Sequence, residues 1–455
     1  MLSPSGVVSA IVESLMMPLT RLLTRFAPAM RHLGAATASG IGVPLPRAPE
    51  HGECIYLDYQ ATTPVWPEVA AAAEPFLRHH WGNPSSGHAF ARPCAAAVTQ
   101  ARESVAKLIG AHADEILFTA CGSEADNHAI IGAVEAAEAR RGGMGAASTA
   151  PLPHVVTTNV EHPAVIECLE ALQRAGRLEA TYVAVDGEGR VTPQAVAAAV
   201  RDETVLVTVM HSNNEVGAVQ PLPEIAAAVR RVARAPLLIH TDAAQSIGKL
   251  DVDVNALGVD LLTVVGHKFG APKGVGALYI RTGTELPKLL HGGGQEAGRR
   301  AGTESVVLLA ALGEAARIAT AEAAPLRAHM GATRDLLKRL LVEGLPEGSV
   351  RDNGPADAAH RLPNTLSVGL KGVRASELLA TLSERLAASA GAACHTQAAS
   401  VSAVLRAMDV PLEYAVGTLR LSTGRHTTEA EVRTAAALII EEAERQWASA
   451  PPPAR

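Results

Sequence analysis

Short, unbroken apolar runs alternate with longer stretches of helical spacing through the middle of this chain. The runs are Ile116–Thr119, His154–Thr158, Thr181–Val185, Val205–Met210, Pro236–His240 and Leu261–Val265, most of them rich in β-branched residues. A strand with one wet face alternates polar and apolar positions; continuous runs suit strands buried on both faces. Helical spacing between the runs predicts helices over about 125–140, 163–175, 193–201 and 223–233. This order predicts an α/β domain, a mostly parallel sheet with helices on both faces. Such sheets take their ligands at the carboxyl ends of the strands.

The flanks read differently. Order begins at Ile55-Tyr56-Leu57-Asp58, and Ala-rich helices are predicted over 67–80 and 91–109, on either side of the loop Gly82-Asn83-Pro84-Ser85-Ser86-Gly87. Residues 140–153 are full of Gly, Ala, Ser and Pro and read as a surface loop. A helix-rich segment from about 305 to 343 leads into mixed strands and helices over 361–445. The organisation predicted is a leader or extension over 1–54, a large domain over 55–305 with its N-terminal segment joining the smaller one, a small domain over 306–445, and a disordered tail over 446–455. A length of 455 residues suits two domains.

Composition narrows the function classes. With Lys+Arg at 40 and Asp+Glu at 46, the formal net charge is −6, which calls for neither nucleic acid nor an anionic membrane as partner. No stretch reaches the roughly 18 consecutive apolar residues of a membrane span. The five cysteines (Cys54, Cys94, Cys121, Cys168 and Cys394) are widely spaced and form no CxxC pair. That argues against structural zinc and a disulfide framework, and for a reducing compartment. A lone cysteine there is either a small buried apolar residue or a nucleophile. Residues 1–49 carry Arg21, Arg25, Arg31 and Arg47 but one acid, Glu13, and Leu15–Phe26 reads as a basic amphipathic helix. This composition is that of a transit peptide or of an unstructured extension, so cytoplasm and mitochondrion both stay open.

Candidate chemistry follows the strands. Ile116–Thr119 leads into Cys121-Gly122-Ser123, small residues that let backbone N–H groups face an anion at a helix N-terminus. An ordinary N-cap at Ser123 explains the turn equally well. The run ending at His240 leads into Thr241-Asp242-Ala243-Ala244-Gln245, where an acid at the end of a buried strand needs a cationic partner or serves as a cap. Leu261–Val265 leads into Gly266-His267-Lys268. Burial would lower the amine pKa of such a lysine, as a Schiff-base residue requires. An acid for a pyridinium nitrogen and a lysine for an aldehyde are the minimum for pyridoxal 5'-phosphate (PLP) chemistry.

These residues belong to longer strings. Tyr56–Pro64, Gly82–Ser86, Asn213-Asn214-Glu215-Val216-Gly217, His240–Gln245, Gly266-His267-Lys268 and Gly292-Gly293-Gly294-Gln295-Glu296 together resemble the NifS/IscS-like cysteine desulfurases. That family lies in the class V aminotransferase group of fold-type I PLP enzymes. The resemblance runs from about residue 55 to 440 and implies a large, mostly parallel seven-stranded sheet flanked by helices, with a smaller α+β C-terminal domain. Ser389–His395 and Val265–Phe269 are most similar to selenocysteine lyase. Val265 stands where many desulfurases carry a phosphate-binding serine.

The resemblance also implies residue roles. Lys268 would bond the cofactor aldehyde and move a proton, Asp242 would pair the ring nitrogen, and His162 would stack on the ring. Without the resemblance, His162 reads as a surface-loop histidine. Gln245 and Asn214 would contact the ring, Asn214 also the substrate; Ser123 and His267 would hold the phosphate. Thr303 would reach the phosphate of a second subunit, which implies a homodimer. Arg420 would grip the substrate carboxylate, with Arg425 a structural neighbour. Cys394 would attack the sulfur or selenium of L-cysteine or L-selenocysteine, leave L-alanine, and pass the chalcogen on, possible acceptors including another protein. The alternatives are an aminotransferase that never uses Cys394, or a fold-retaining scaffold; retention of Lys268, Asp242, His162, Cys394 and Arg420 together speaks against the scaffold.

Overall fold

The computed structural model describes residues 40–44, 52–140, 151–393 and 400–449, and everything from Gly42 onward forms one unit. Residues 1–39 and 45–51 of the predicted leader, the 141–150 part of the predicted loop, Cys394 and His395, and the tail beyond Ser449 lie outside the described residues.

The chain enters through β1 (Ile55–Tyr56) and then builds a seven-stranded sheet from β2 (Ile116–Thr119), β3 (His154–Thr158), β4 (Glu179–Val183), β5 (Thr204–Thr208), β6 (Leu238–Asp242), β7 (Leu261–Val265) and β8 (Gly276–Ile280). The strand order is β2-β8-β7-β6-β5-β3-β4. β8 is antiparallel to both neighbours, and every other pair is parallel. β2, β3, β5, β7 and β8 are buried at every position, as runs without alternation require. β5 begins at Thr204 and ends at Thr208, and β4 and β6 start and end about two residues away from the runs that predict them, so Asp242 closes β6 rather than following it.

The helix Gly122–Arg140 begins three residues earlier than its apolar spacing predicts. It buries residues on several faces, including Ala125, Asp126, Ala129, Ile130 and Ala133, because it lies between the sheet and the helix Pro163–Arg174. The helix Leu222–Val232 shows the one-sided pattern instead. Leu222, Ile225, Ala226 and Val229 are buried, and Glu224, Arg230 and Arg231 face out. Two Ala-rich helices, Pro67–Arg78 and Ala91–Leu108, meet the helix Val306–Ala321 closely. A Cβ at Gly313 would sit 2.6 Å from the Ala101 Cα, so this crossing tolerates no side chain there.

A second layer holds β9 (Val350–Asn353), β10 (Thr365–Leu370), β11 (Leu386–Ala387), β12 (Ser389–Ala390), β13 (Ala392–Ala393), β14 (Ser400–Val401) and β15 (Thr418–Ser422). Its main sheet is antiparallel in the order β12-β15-β10-β9, while β1 pairs with β11. One apolar core joins this sheet to the helices Ala323–Gly344 and Glu429–Ser449 and to Ile55 and Leu57 from the start of the chain. The short pair β13-β14 flanks the segment that contains Cys394. Among the described residues, no helix is long and apolar enough to cross a membrane.

Candidate active site

Five parallel strands deliver side chains to one rim. The segments after β2, β3, β5, β6 and β7 surround a cavity of about 360 Å³ lined by Ser123, His162, Asn214, Asp242, Gln245, His267, Lys268 and Arg420, among others. Eight of the ten residues singled out in the sequence therefore meet in one place, at the carboxyl edge of the sheet. Thr303 does not line it. It is exposed in the loop before Val306. Cys394 lies outside the described residues.

Gly122 opens one wall. A Cβ there would lie 2.6 Å from Cγ2 of Val265, so glycine is what lets the turn approach β7. Ser123 follows inside the first turn of a 19-residue helix rather than capping it from outside. The unpaired N–H groups of that turn and the helix dipole make an anion seat. Glu124 is occupied elsewhere: it accepts from the Ala120 N–H at 2.8 Å and pairs with Arg300 at 2.9 Å.

His162 is exposed in the turn after β3 and lines the cavity. It is the N-cap of the helix Pro163–Arg174, its Nδ1 accepting from the Ala164 N–H at 3.1 Å. That bond places any neutral-ring proton on Nε2. Burial lowers its pKa, and the nearby Asp242 opposes the fall. The preceding residue, Glu161, is buried and accepts from the Thr158 hydroxyl and the Met210 N–H. Burial pushes its pKa up to about 8.

Asp242 is 8% exposed at the end of β6, and its Oδ1 accepts from the Ala244 N–H at 2.8 Å. Burial raises its pKa, against the pull of that bond and of His162 and Lys268. Such a carboxyl favours a proton or a cationic partner. Asp126, from the same helix as Ser123, also lines the cavity, and its Oδ1 is buried 3.7 Å from His240 Nε2. Gln245 donates its side-chain amide to the Gln60 carbonyl at 3.0 Å and leaves Oε1 buried and unmatched.

Lys268 ends the 3₁₀ turn Gly266–Lys268. Its Nζ donates to the Gln60 and Ala61 carbonyls, both at 2.8 Å. Burial first, and then the Arg420 charge, bring its pKa down to about 8. The neighbouring His267 bonds the Thr62 hydroxyl through Nδ1 at 3.0 Å, and burial with nearby lysines brings its pKa to about 4. Opposite, Arg420 projects from β15 and bonds Asp58 and Ser389 at 2.9 Å each and the Asn214 carbonyl at 3.2 Å. Its Nε is buried and unmatched. Arg425 lies away from the cavity, paired with Glu68 and Glu322 and stacked over Trp66.

Several cavity residues escape sequence reasoning. Gln60 and Ala61 act through main-chain oxygens, which carry no residue-type signal, although both lie inside the Tyr56–Pro64 string. Asp126 was legible in principle, since it falls three residues after Ser123 on the same helix face.

The residues present fit PLP. Asp242 offers a buried carboxyl for a ring nitrogen, Lys268 an amine with lowered pKa for the aldehyde, and the Gly122–Ser123 turn an anion seat. The volume lies in the range of small-molecule sites, roughly 300–1,000 Å³. The unmatched Gln245 Oε1 belongs to a residue of the cavity wall and offers a polar ring an acceptor.

Comparison with known proteins agrees with this geometry. The profile of the aminotransferase class-V family matches residues 55–434. A cysteine desulfurase IscS of Dictyoglomus turgidum is 40% identical over 379 residues, 83% of this chain and 91% of that protein. A solved structure described as a NifS-like protein superimposes with a TM-score of 0.75 at 34% identity, covering 85% of this chain and 98% of its own. A structure described as SspA in complex with cysteine gives a TM-score of 0.68 at 33% identity, covering 82% of this chain and all of that one. The seven-stranded sheet with its flanking helices is thus the fold-type I arrangement, and the chain belongs to the PLP-dependent aminotransferase class-V family, alongside the IscS- and NifS-like cysteine desulfurases.

Proposed function

We propose that this chain is a PLP-dependent cysteine desulfurase that converts L-cysteine to L-alanine and keeps the sulfur as a persulfide. The observation that carries the reading is the convergence of Asp242, Lys268 and Arg420 on one cavity at the carboxyl edge of the sheet. When bound there, PLP supplies the electron sink that lets an amino acid lose its α-proton and then its β-substituent.

The side chains divide the work. Asp242 would hold the ring nitrogen protonated, His162 would cover the ring face, and Gln245 and Asn214 would orient its edge. Ser123 and His267 would hold the phosphate, with Thr303 of a second copy completing that seat in a homodimer. Lys268 would hold the aldehyde and take up the α-proton, a task suited to an amine of pKa about 8. Arg420 would exchange part of its contact with Asp58 for the substrate carboxylate, which a guanidinium grips in bidentate fashion. Cys394, as thiolate, would attack the substrate sulfur; the carbon–sulfur bond breaks, its electrons stay with carbon, and a proton completes alanine. The persulfide then passes to a thiol acceptor, a protein supplying iron–sulfur or thio-cofactor assembly being one such route. The reducing compartment this needs is the cytoplasm or a mitochondrion.

Selenocysteine is a second substrate in this reading. Val265, which lines the cavity beside Gly122, supplies no hydroxyl to the phosphate and is the feature that favours it. Measuring alanine formed from L-cysteine and from L-selenocysteine tests both. Alanine from cysteine supports the desulfurase; a preference for selenocysteine of about a hundredfold or more would make selenium the principal substrate. Equal rates would remove the selenium-specific reading, and no alanine from either would remove the proposal.

A further inference from the structure

We propose that Lys249 is a positioning residue for this site: its buried side chain ties the backbone of Lys268 to the turn that carries Gln245 and follows Asp242. The proposal rests on the reading of the cavity as a PLP site.

Lys249 is 4% exposed, and its Nζ donates to the Gln245 carbonyl at 3.0 Å and to the Lys268 carbonyl at 3.3 Å. Among the described residues, no carboxylate forms an ion pair with it. Asp251, close in sequence, pairs with Arg327, and Asp253 caps the helix Val254–Leu257. A lysine buried without a carboxylate is costly and rare. A methionine would fill the same space without that cost, so the position calls for the donor or the charge.

The geometry says what the donor does. β6 and β7 stop pairing at Asp242 and Thr263, with one more bond from the Ala243 N–H to the Thr263 carbonyl at 3.2 Å. Beyond that point the two segments separate. One becomes the turn 243–249, closed by bonds from Ser246 and Ile247 to the Ala243 carbonyl. The other becomes the 3₁₀ turn ending at Lys268. The Lys249 side chain is a cross-tie beyond the last rung of the ladder. Gly248 permits it: with φ of +75° and only 2.9 Å between a Cβ and the Phe269 Cβ, the turn can lie against the chain just after Lys268. The catalytic amine is then held from both sides, its side chain by the Gln60 and Ala61 carbonyls and its backbone by Lys249. Charge plays little part. Burial, with the Lys268 charge added, brings the Lys249 pKa to about 7. Lys249 is therefore mostly neutral where Lys268 titrates, near pH 8, and the tie acts on Lys268 through its hydrogen bond.

The test uses the full chain, wild type, Lys249→Met and Lys249→Arg, each freed of cofactor and then mixed with PLP. The readouts are the thermal midpoint, the rate at which the borohydride-sensitive absorbance appears at pH values from about 6.5 to about 9.5, and kcat and KM for L-cysteine. In Lys249→Met, the rate of cofactor capture should fall by about tenfold, because the Lys268 backbone loses its tie. Its kcat should fall by about tenfold while KM changes less than about threefold, since Arg420 stands apart from this tie. Lys249→Arg, which keeps the donors, should restore most of that rate. A folded Lys249→Met with wild-type capture rate and kcat would overturn the proposal alone, as would failure of both variants to fold, which would leave Lys249 a residue of core stability. A wild-type protein that captures no PLP would overturn the cofactor reading, and this proposal with it.

Discussion

Lys268 Nζ donates to the Gln60 carbonyl at 2.8 Å, and the side-chain amide of Gln245 donates to that same oxygen at 3.0 Å. One main-chain acceptor therefore spaces two groups that arrive from different strands. The segment supplying it also bridges to the second layer, because Gln60 Nε2 bonds the Thr365 hydroxyl at 2.7 Å. The amine is thus fixed before any cofactor arrives, and burial has already weakened its hold on a proton.

The first prediction concerns that proton. The Lys268 pKa is lowered to about 8 in the folded chain, so the reactive free amine accumulates as pH rises through about 8 rather than near 10.4. Labelling the cofactor-free protein with an amine reagent, followed by peptide mass analysis, should give a midpoint near 8 at Lys268. A midpoint shared with the surface lysines would contradict the burial argument.

Arg420 should separate binding from chemistry. Lysine cannot reproduce the paired contacts that a guanidinium makes with Asp58, Ser389 and a substrate carboxylate. Arg420→Lys should raise KM for L-cysteine by about tenfold or more, with a smaller change in kcat. An unchanged KM would move the carboxylate site elsewhere.

Gly122 offers a steric test with its own control. Gly122→Ala places a Cβ 2.6 Å from Val265 Cγ2, so the turn must shift and the anion seat with it. PLP affinity measured by absorbance titration should fall by about tenfold, and adding Val265→Ala should recover most of it. If the double variant binds no better than Gly122→Ala, the clash is not the cause.

Stability should depend on pH through His240. It is fully buried between the Thr208 and Thr263 hydroxyls, and burial lowers its pKa to about 3. The unfolded chain takes up this proton near pH 6.5 and the folded chain does not, so stability is present above 6.5 and drains away as pH falls toward 3. Between pH 6.5 and 5 the loss from this residue is about 2 kcal/mol. Urea unfolding at both pH values should show wild type losing about that much more than a folded His240→Gln variant; equal losses would mean His240 is already charged in the fold.

Much of the fold was legible because buried parallel strands leave continuous apolar runs and turns leave small residues. β8 was not, since its Gly276 start follows the glycine-rich stretch after Lys268 and its antiparallel course needs no crossover helix. Helix starts moved for a related reason: Gly122 and Ser123 look like a turn in isolation, and only the neighbouring strands make room for a helix there. Within the site, residues that act through side chains at strand ends announced themselves, Asp242 and Lys268 foremost. Gln60 and Ala61, acting through carbonyls, could not, nor could Asp58, whose contact with Arg420 joins residues 362 positions apart.

The central claim is tested most directly by supplying L-cysteine and a reducing thiol to the PLP-loaded protein and measuring alanine and sulfide together. The account predicts equal amounts of both from wild type, and neither from Lys268→Ala. Pyruvate in place of alanine, or equal turnover by Lys268→Ala, would contradict it.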